Sequence, residues 1–193
     1  MKPYPFLWLL LLPLLLLQQC KNSKHPLLKY NAKLGLYIYT PPNSLFQIGF
    51  PQKPQIKNID DHNNPHNLLK QVATVLDVED STILSVDFEW YNNVYDTAAK
   101  DKVLAILKNE ARLKGLPNAA IYYQPNELGD CYIIHGSKIV EAEDTKTSVE
   151  MMFDDAWYFK KDNLFCVSTI CPISKYPNNT SIAFISSLKL VTP

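Results

Sequence analysis

Apolar and polar residues alternate along much of this chain, and a period of two is typical of strands that bury one face. The clearest alternation runs from Thr82 to Tyr91, where every second residue is apolar: Leu84, Val86, Phe88 and Trp90. Residues 72–78 repeat the pattern, and the turn-like Glu79-Asp80-Ser81 between the two segments predicts a hairpin. A second strand group is predicted over residues 148–170. Strands with one buried and one solvent-exposed face, joined by short turns, predict an antiparallel sheet.

Two segments have helical spacing instead. Residues 97–114 place their apolar side chains on one arc, and Gly115 and Pro117 follow as stop signals. Residues 180–188 have the spacing of a shorter helix. We therefore expect an α+β fold, an antiparallel sheet with one long helix (about 97–114) and a short C-terminal helix (about 180–188) packed on it.

Residues 1–19 have the pattern of an export signal. Lys2 precedes a leucine-rich run from Phe6 to Leu17 that contains Pro13. A run of about a dozen residues is too short for a membrane-spanning helix, which needs roughly twenty, so we expect the signal to be cleaved. Because no Ala-x-Ala pattern follows, a cysteine at the end of the run is the alternative cleavage mark.

The segment Leu17-Gln18-Gln19-Cys20 resembles bacterial lipoprotein signals, although Gln19 replaces the small residue usual before the cysteine. The resemblance implies a lipid on Cys20 and a location in the cell envelope, at the outer membrane or the periplasmic face. The alternative is a secreted protein cut elsewhere. Residues 20–34 are polar and basic and suit a tether, and residues 35–193 have the length of a single domain.

Charge and cysteine content narrow the picture further. Because 19 basic residues balance 19 acidic residues, we expect no nucleic-acid partner. An exported chain can form disulfides, but Cys166 and Cys171 lie too far apart on one predicted strand. Cys131 with one of them is the bridge that remains, and three unpaired thiols, buried or half-buried, are the alternative.

No catalytic or cofactor motif is recognisable, so we expect no cofactor. The best metal candidates share one loop: Asp60, Asp61, His62 and His66. Carboxylates and imidazoles are zinc ligands, but Pro65 prevents the two histidines from sharing a helix face, and the composition is typical of a solvated turn. We therefore predict an ordinary loop and no metal site.

Three further side chains raise questions of chemistry. Cys131 and His135 share a face of one predicted strand, as a nucleophile and a base would, yet they are about 13 Å apart along it. Glu110 falls on the expected buried face of the long helix, where Lys114 one turn on can pair with it.

Adjacent aromatic residues offer a clue to binding. Neighbours on a strand point to opposite faces, so each of three pairs should place one ring on each face: Trp90 and Tyr91, Tyr122 and Tyr123, Trp157 and Tyr158. The outer rings could line a groove for a glycan, a peptide or a protein partner. Alternatively, they form a second core layer under the closing helix.

Two end segments carry a family resemblance. The segment Ser44-Leu45-Phe46-Gln47-Ile48-Gly49-Phe50-Pro51 resembles the opening strand of PsbP/Mog1-type sandwich domains and related envelope proteins, and residues 183–190 resemble their closing helix. The resemblance implies an accessory or binding role.

We predict an exported, lipid-anchored, non-catalytic binding module of the bacterial envelope, with a membrane, an envelope protein or a glycan as partner. The alternative is a small envelope enzyme, metal-dependent or not, that uses His62, His66 or His135.

Overall fold

The computed structural model describes residues 26–59, 67–91, 100–141, 147–160 and 163–191. It contains eleven strands and two helices within these ranges, and a short 3₁₀ turn over Ile173–Lys175. In chain order the elements are β1 (Leu27–Asn31), β2 (Leu36–Thr40), β3 (Phe46–Phe50), β4 (Gln55–Ile59), β5 (Asn67–Asp77), β6 (Thr82–Tyr91), α1 (Lys100–Leu113), β7 (Ala120–Tyr123), β8 (Asp130–Glu141), β9 (Ser148–Lys160), β10 (Asn163–Pro172), α2 (Asn179–Ser186) and β11 (Lys189–Leu190).

The strands form two antiparallel sheets. The small sheet has the order β1-β2-β3-β11, and the large sheet has the order β4-β5-β6-β10-β9-β8-β7. The predicted hairpin is β5–β6, in which Val75 pairs with Leu84 and Ala73 with Val86. Ser81 in its turn has a φ of 54°, in the left-handed region that tight turns use. The prediction of antiparallel pairing from alternation is confirmed.

The predicted α+β class is wrong. Of the described residues, 58% are in strands and 17% in helices, so the fold is mostly strand, with two short helices rather than one long helix packed on a single sheet. Sheet packs on sheet because β2 and β3 bury large aromatic residues, Tyr39, Phe46 and Phe50, which have no exposed surface. A face this apolar must be covered, and the β6–β10 part of the large sheet covers it.

The core between the two sheets is rich in aromatic rings. The ring of Phe165, near the start of β10, lies 5.1 Å from that of Phe46 and 6.3 Å from that of Phe88. Helix α2 closes the core through Phe184, whose ring is 4.9 Å from that of Phe50. The two sheets and α2 thus share one hydrophobic core.

Helix α1 packs on the opposite face of the large sheet. Its buried residues Val103, Leu107 and Ala111 join a second core that includes Tyr132 of β8 and Phe159 of β9. Gly115, with a φ of 74°, ends the helix as the sequence predicts. Residues 97–99 of the predicted helix lie outside the described residues, and Lys100 is the first described residue of the helix.

The folded part begins earlier than predicted. Strand β1 lies inside the segment 20–34 that was expected to be a tether, and Leu28 pairs with Tyr39 of β2. Three of the five residues of β1 are exposed, although the strand contains Leu27 and Tyr30. The proposed signal and Cys20 lie outside the described residues. Among the described helices, none is long and apolar enough to cross a membrane.

Asn178 anchors the start of α2 to the large sheet. Its Oδ1 accepts a hydrogen bond from the Ser181 N–H at 2.6 Å, and its Nδ2 donates to Thr82 Oγ1 at 2.8 Å. We expect Asn178→Ala to lower the free energy of unfolding by about 1–2 kcal/mol, measured by urea denaturation. Asn178→Asp, which keeps the acceptor and loses the donor, should retain part of this stability. An unchanged midpoint for Asn178→Ala would show that the cap contributes nothing.

Candidate functional site

An open groove of about 530 Å³ lies on the sandwich face of the large sheet, over β7, β8 and β9 and beside α2. We call it the tyrosine groove. Its walls combine aromatic, amide and apolar side chains with one histidine and one carboxylate: Tyr122, Gln124, Asn126, Cys131, Ile133, His135, Asp154, Ala156, Tyr158, Tyr176 and Ile185.

A histidine and an aspartate form a pair at one end of the groove. His135 of β8 and Asp154 of β9 are directly opposite in the antiparallel register, and His135 Nδ1 is 2.5 Å from Asp154 Oδ1. Because an ionised carboxylate can only accept, the proton of this hydrogen bond lies on Nδ1. When the ring carries only this proton, Nε2 is an acceptor, and the fixed tautomer orients the histidine for binding or for base catalysis.

Tyr176 closes this end of the groove. Its ring centroid is 5.8 Å from that of His135. Burial raises the pKa of the Tyr176 hydroxyl, and the charge of Asp154, to which it is hydrogen bonded, raises it further. Tyr176 therefore stays neutral and serves as a hydrogen-bonding aromatic wall.

Cys131 and Tyr158 form a second polar contact in the middle of the groove. Burial raises the pKa of the Cys131 thiol, while its hydrogen bond with Tyr158 lowers it by a smaller amount. The pKa of Tyr158 is raised to about 12, mainly by burial, and the hydroxyl also bonds Asn126. A thiol with a raised pKa is a poor nucleophile. Cys131 and His135 share the groove but lie four positions apart on one strand, so they form no nucleophile–base pair.

The aromatic pairs divide between the faces of the sheet. Tyr122 and Tyr158 line the tyrosine groove. Tyr123 turns away and donates a hydrogen bond to Asp130 at 2.7 Å, and Trp157 packs with the core beneath α1. Trp90 packs against the core between the sheets, and the side chain of Tyr91 is not among those described.

No signal in the sequence indicates that Tyr176 belongs to the groove. It follows the 3₁₀ turn, where no periodicity marks a side chain's direction.

The three cysteines of the domain are free and buried. Cys131 and Cys166 occupy opposite faces of the large sheet, since Cys131 joins the core between the sheets while Cys166 lines a cavity on the α1 side. Phe165 of β10 pairs with Tyr158 of β9, which pairs with Cys131 of β8. Cys171 lies six positions further along β10 than Phe165, so it is far from Cys131 along the strand direction. The bridge that the sequence allowed between Cys131 and Cys166 or Cys171 is therefore not formed.

The predicted loop residues Asp60, Asp61, His62 and His66 lie outside the described residues. Within the described parts of the chain, no group of three or more histidine, cysteine, aspartate or glutamate side chains is arranged to hold a metal ion.

A smaller cavity of about 240 Å³ lies on the other face of the sheet, beneath α1, and we call it the charged cavity. Five charged side chains line it: Lys70, Asp87, Glu89, Glu110 and Lys114. Lys70 Nζ pairs with Glu89 Oε1 at 2.5 Å. Lys114 does not form the predicted pair with Glu110, and instead its Nζ donates to Oδ2 of the buried Asp155 at 2.5 Å.

The fold and the groove define a β-rich two-sheet domain with an open, tyrosine-lined groove. No protein-family model matches the chain, and no curated protein matches its sequence. Its structure is similar to the solution structure of cyanobacterial PsbP from Synechocystis sp. PCC 6803, with 11% sequence identity, a TM-score of 0.46, and coverage of 88% of this chain and 94% of that protein.

A second similar structure is a crystal structure from Bacteroides thetaiotaomicron VPI-5482. It has 12% sequence identity and a TM-score of 0.41, and the match covers 77% of this chain but only 46% of that one. The two end segments that carry the sequence resemblance meet in space, where Leu190 of β11 pairs with Phe46 of β3.

Proposed function

We propose that this protein is an exported binding module of the bacterial cell envelope and that the tyrosine groove holds a neutral glycan. The observation that carries the proposal is the lining of the groove, in which three tyrosine rings and two side-chain amides accompany the hydrogen-bonded His135–Asp154 pair. The export and the lipid attachment at Cys20 rest on the sequence of residues 1–20.

The composition of the groove favours a neutral, hydroxyl-rich ligand. Tyrosine rings offer a flat apolar surface with a polar tip, which suits the alternating apolar and hydroxylated surfaces of a sugar ring. Gln124 and Asn126 supply donors and acceptors for hydroxyl groups. Asp154 accepts a hydrogen bond from His135, so this carboxylate already has a partner within the lining. A volume of about 530 Å³ lies within the range of small-ligand sites, roughly 300–1,000 Å³.

Tyr122 is the ring best placed to test this function, because it is 53% exposed on the edge strand β7. We expect the protein to bind soluble N-acetylglucosamine oligosaccharides, and Tyr122→Ala to weaken that binding about ten-fold, as loss of an aromatic anchor does. The measurement is isothermal titration of the domain with the oligosaccharides, followed by an array of bacterial envelope polysaccharides.

Tyr30→Ala is the matched control. Tyr30 is 58% exposed and lies on the other sheet, at the edge strand β1, away from the groove. This variant should bind like the parent protein. If no polysaccharide binds, or if Tyr122→Ala and Tyr30→Ala bind equally well, the groove is not a glycan site.

The proposed export and lipid attachment can be tested separately. The intact mass of the mature protein from a bacterial membrane fraction should match a chain that begins at an acylated Cys20, and Cys20→Ala should release the protein from the membrane. An unmodified terminus at another residue would make this a secreted protein without a lipid anchor.

The His135–Asp154 pair supports one other candidate function, hydrolysis of the bound ligand with His135 as a general base. Incubation with a bound oligosaccharide followed by mass spectrometry separates the two functions. Intact oligosaccharide supports the binding module, whereas cleavage that stops in His135→Gln would identify an enzyme.

A further inference from the structure

An apolar groove of about 420 Å³ lies on the outer face of the small sheet, between β2 and the end of α2, and we call it the outer groove. Leu36 and Ile38 of β2 line it. They alternate along the strand with Tyr37 and Tyr39, which pack in the core between the sheets. Leu34, which is 55% exposed, extends the apolar surface into the β1–β2 turn. The outer groove shares no lining residue with the tyrosine groove or the charged cavity.

Exposed lysines flank the outer groove. Lys189 of β11 is part of its lining. Lys29 of β1 is directly opposite Ile38 in the antiparallel register, so its side chain lies on the same face of the sheet. Lys33 is exposed in the β1–β2 turn, next to Leu34 in the chain. The outer groove therefore combines an apolar floor with a basic rim.

The elements around the outer groove contain no acidic residue. All 19 acidic residues of the chain fall between Asp60 and Asp162, both included, whereas β1, β2, β3, α2 and β11 lie outside that range. The formal net charge of zero thus conceals a basic small sheet and an acidic remainder. Such asymmetry is typical of proteins that bind an anionic surface. Exposed leucines beside the lysines favour a lipid surface over a nucleic acid, because apolar side chains enter the bilayer interface.

The course of the chain brings this face close to the proposed lipid anchor. Strand β1 begins at Leu27, seven residues after Cys20. An extended chain spans at most about 3.5 Å per residue, so an acylated Cys20 holds the start of β1 within about 25 Å of the bilayer. Leu27 is itself 51% exposed. This step alone rests on the lipid attachment in the proposed function.

We propose that the outer groove is a docking face for an anionic phospholipid bilayer. The lysines contact lipid phosphate groups, and the exposed leucines enter the boundary between headgroups and acyl chains. Interfacial binding draws on the same two contributions, burial of apolar surface and attraction to anionic lipids. Docking through this face gives the anchored domain a fixed orientation on the membrane, in addition to the glycan binding proposed for the tyrosine groove. The residues assigned to docking are Leu27, Lys29, Lys33, Leu34 and Lys189.

The test uses the chain from residue 20 onward with Cys20→Ala, which contains every described element and carries no acyl group. Co-sedimentation compares vesicles of phosphatidylglycerol and phosphatidylcholine with vesicles of phosphatidylcholine alone. The anionic vesicles should bind the protein at least about ten-fold more tightly, and about 0.5 M NaCl should remove most of the difference. A lysine near an anionic leaflet strengthens binding about five-fold, so Lys29→Gln and Lys189→Gln should each weaken it by about that factor. Neither acylation nor glycan binding enters this measurement, so its failure is distinguishable from theirs.

Leu34→Ser should also weaken binding to the anionic vesicles about five-fold, as expected from partial burial of a leucine side chain. The matched controls lie on α1, which packs on the opposite face of the large sheet: Lys102→Gln removes an exposed lysine there, and Leu113→Ser removes a leucine that is 66% exposed. Both controls should bind like the parent, and the thermal unfolding midpoint checks the folding of every variant.

Three results would overturn the proposal. The first is equal binding, or no binding, to the two kinds of vesicle. The second is an equal loss in Lys29→Gln and Lys102→Gln, or no loss in either, which would assign the affinity to overall charge or to Lys21 and Lys24 ahead of β1. The third is a dimer in sedimentation equilibrium that Leu34→Ser dissociates, because the outer groove would then be an interface between two copies of the chain.

Discussion

Phe165→Ala is expected to lower the free energy of unfolding by about 4 kcal/mol, in the range found for removing a buried phenylalanine ring. Phe165 has no exposed surface and lies on the central strand β10, between the rings of Phe46 and Phe88. Its removal leaves a cavity bounded by both sheets, which cannot close without moving one sheet against the other. Equilibrium urea denaturation measures the change.

Phe165→Leu is the control for this experiment. Leucine fills most of the space, so the loss should be about 1–1.5 kcal/mol. A loss below about 1 kcal/mol for Phe165→Ala would mean that the two sheets do not depend on each other through this ring.

Lys114→Met is expected to lower the free energy of unfolding by about 3 kcal/mol, because it leaves the buried Asp155 without its partner. The Asp155 side chain is 1% exposed and that of Lys114 is 31% exposed. We therefore expect a loss of stability at the lower end of the range found when one partner of a buried ion pair is removed. The double variant Lys114→Met with Asp155→Leu should regain most of the stability, since an apolar pair replaces the ion pair. Urea denaturation of the parent, both single variants and the double variant gives the coupling energy.

The ion pair should also show in the pH dependence of stability. Burial alone would lower the pKa of Lys114, but the charge of Asp155 and its hydrogen bond outweigh burial, and the pKa is raised. A raised pKa means that the stabilisation is complete below the unfolded value of about 10.4 and is lost as the pH rises through the folded value. The stability difference between the parent and Lys114→Met should therefore narrow only in strongly alkaline solution. A constant difference would assign the loss to packing of the lysine stem.

The sequence predicts the elements whose signals are local. The hairpin β5–β6 follows from the alternation of Leu84, Val86 and Phe88, and the end of α1 follows from Gly115. The division into two sheets does not follow, because β2 and β3 are five residues each and their partners are set by tertiary packing. Strand β1 was not predicted because its five residues show no alternation of apolar and polar positions, and most of them are exposed at a sheet edge.

The candidate sites could likewise be predicted only in part from the sequence, because their contacts depend on tertiary packing. Alternation on one strand separates Tyr122 from Tyr123, but it does not state which residue faces His135 across the sheet. That partner is Asp154, and it is fixed by the β8–β9 register. Lys114 likewise has a local candidate in Glu110, yet it bonds Asp155, 41 positions away. Contacts of this kind depend on distant chain segments, and no local pattern carries them.

Strand β9 supplies both sites with alternate residues. Asp154, Ala156 and Tyr158 line the tyrosine groove, whereas Asp155 and Trp157 lie on the side of the charged cavity. Insertion or deletion of a single residue within this strand would exchange the two sets between faces, placing Trp157 where Tyr158 stands. Evolution can therefore change either site freely by substitution, but the length of this strand is constrained by both sites at once. Sequence drift should leave gaps in the loops around β9 and none within it.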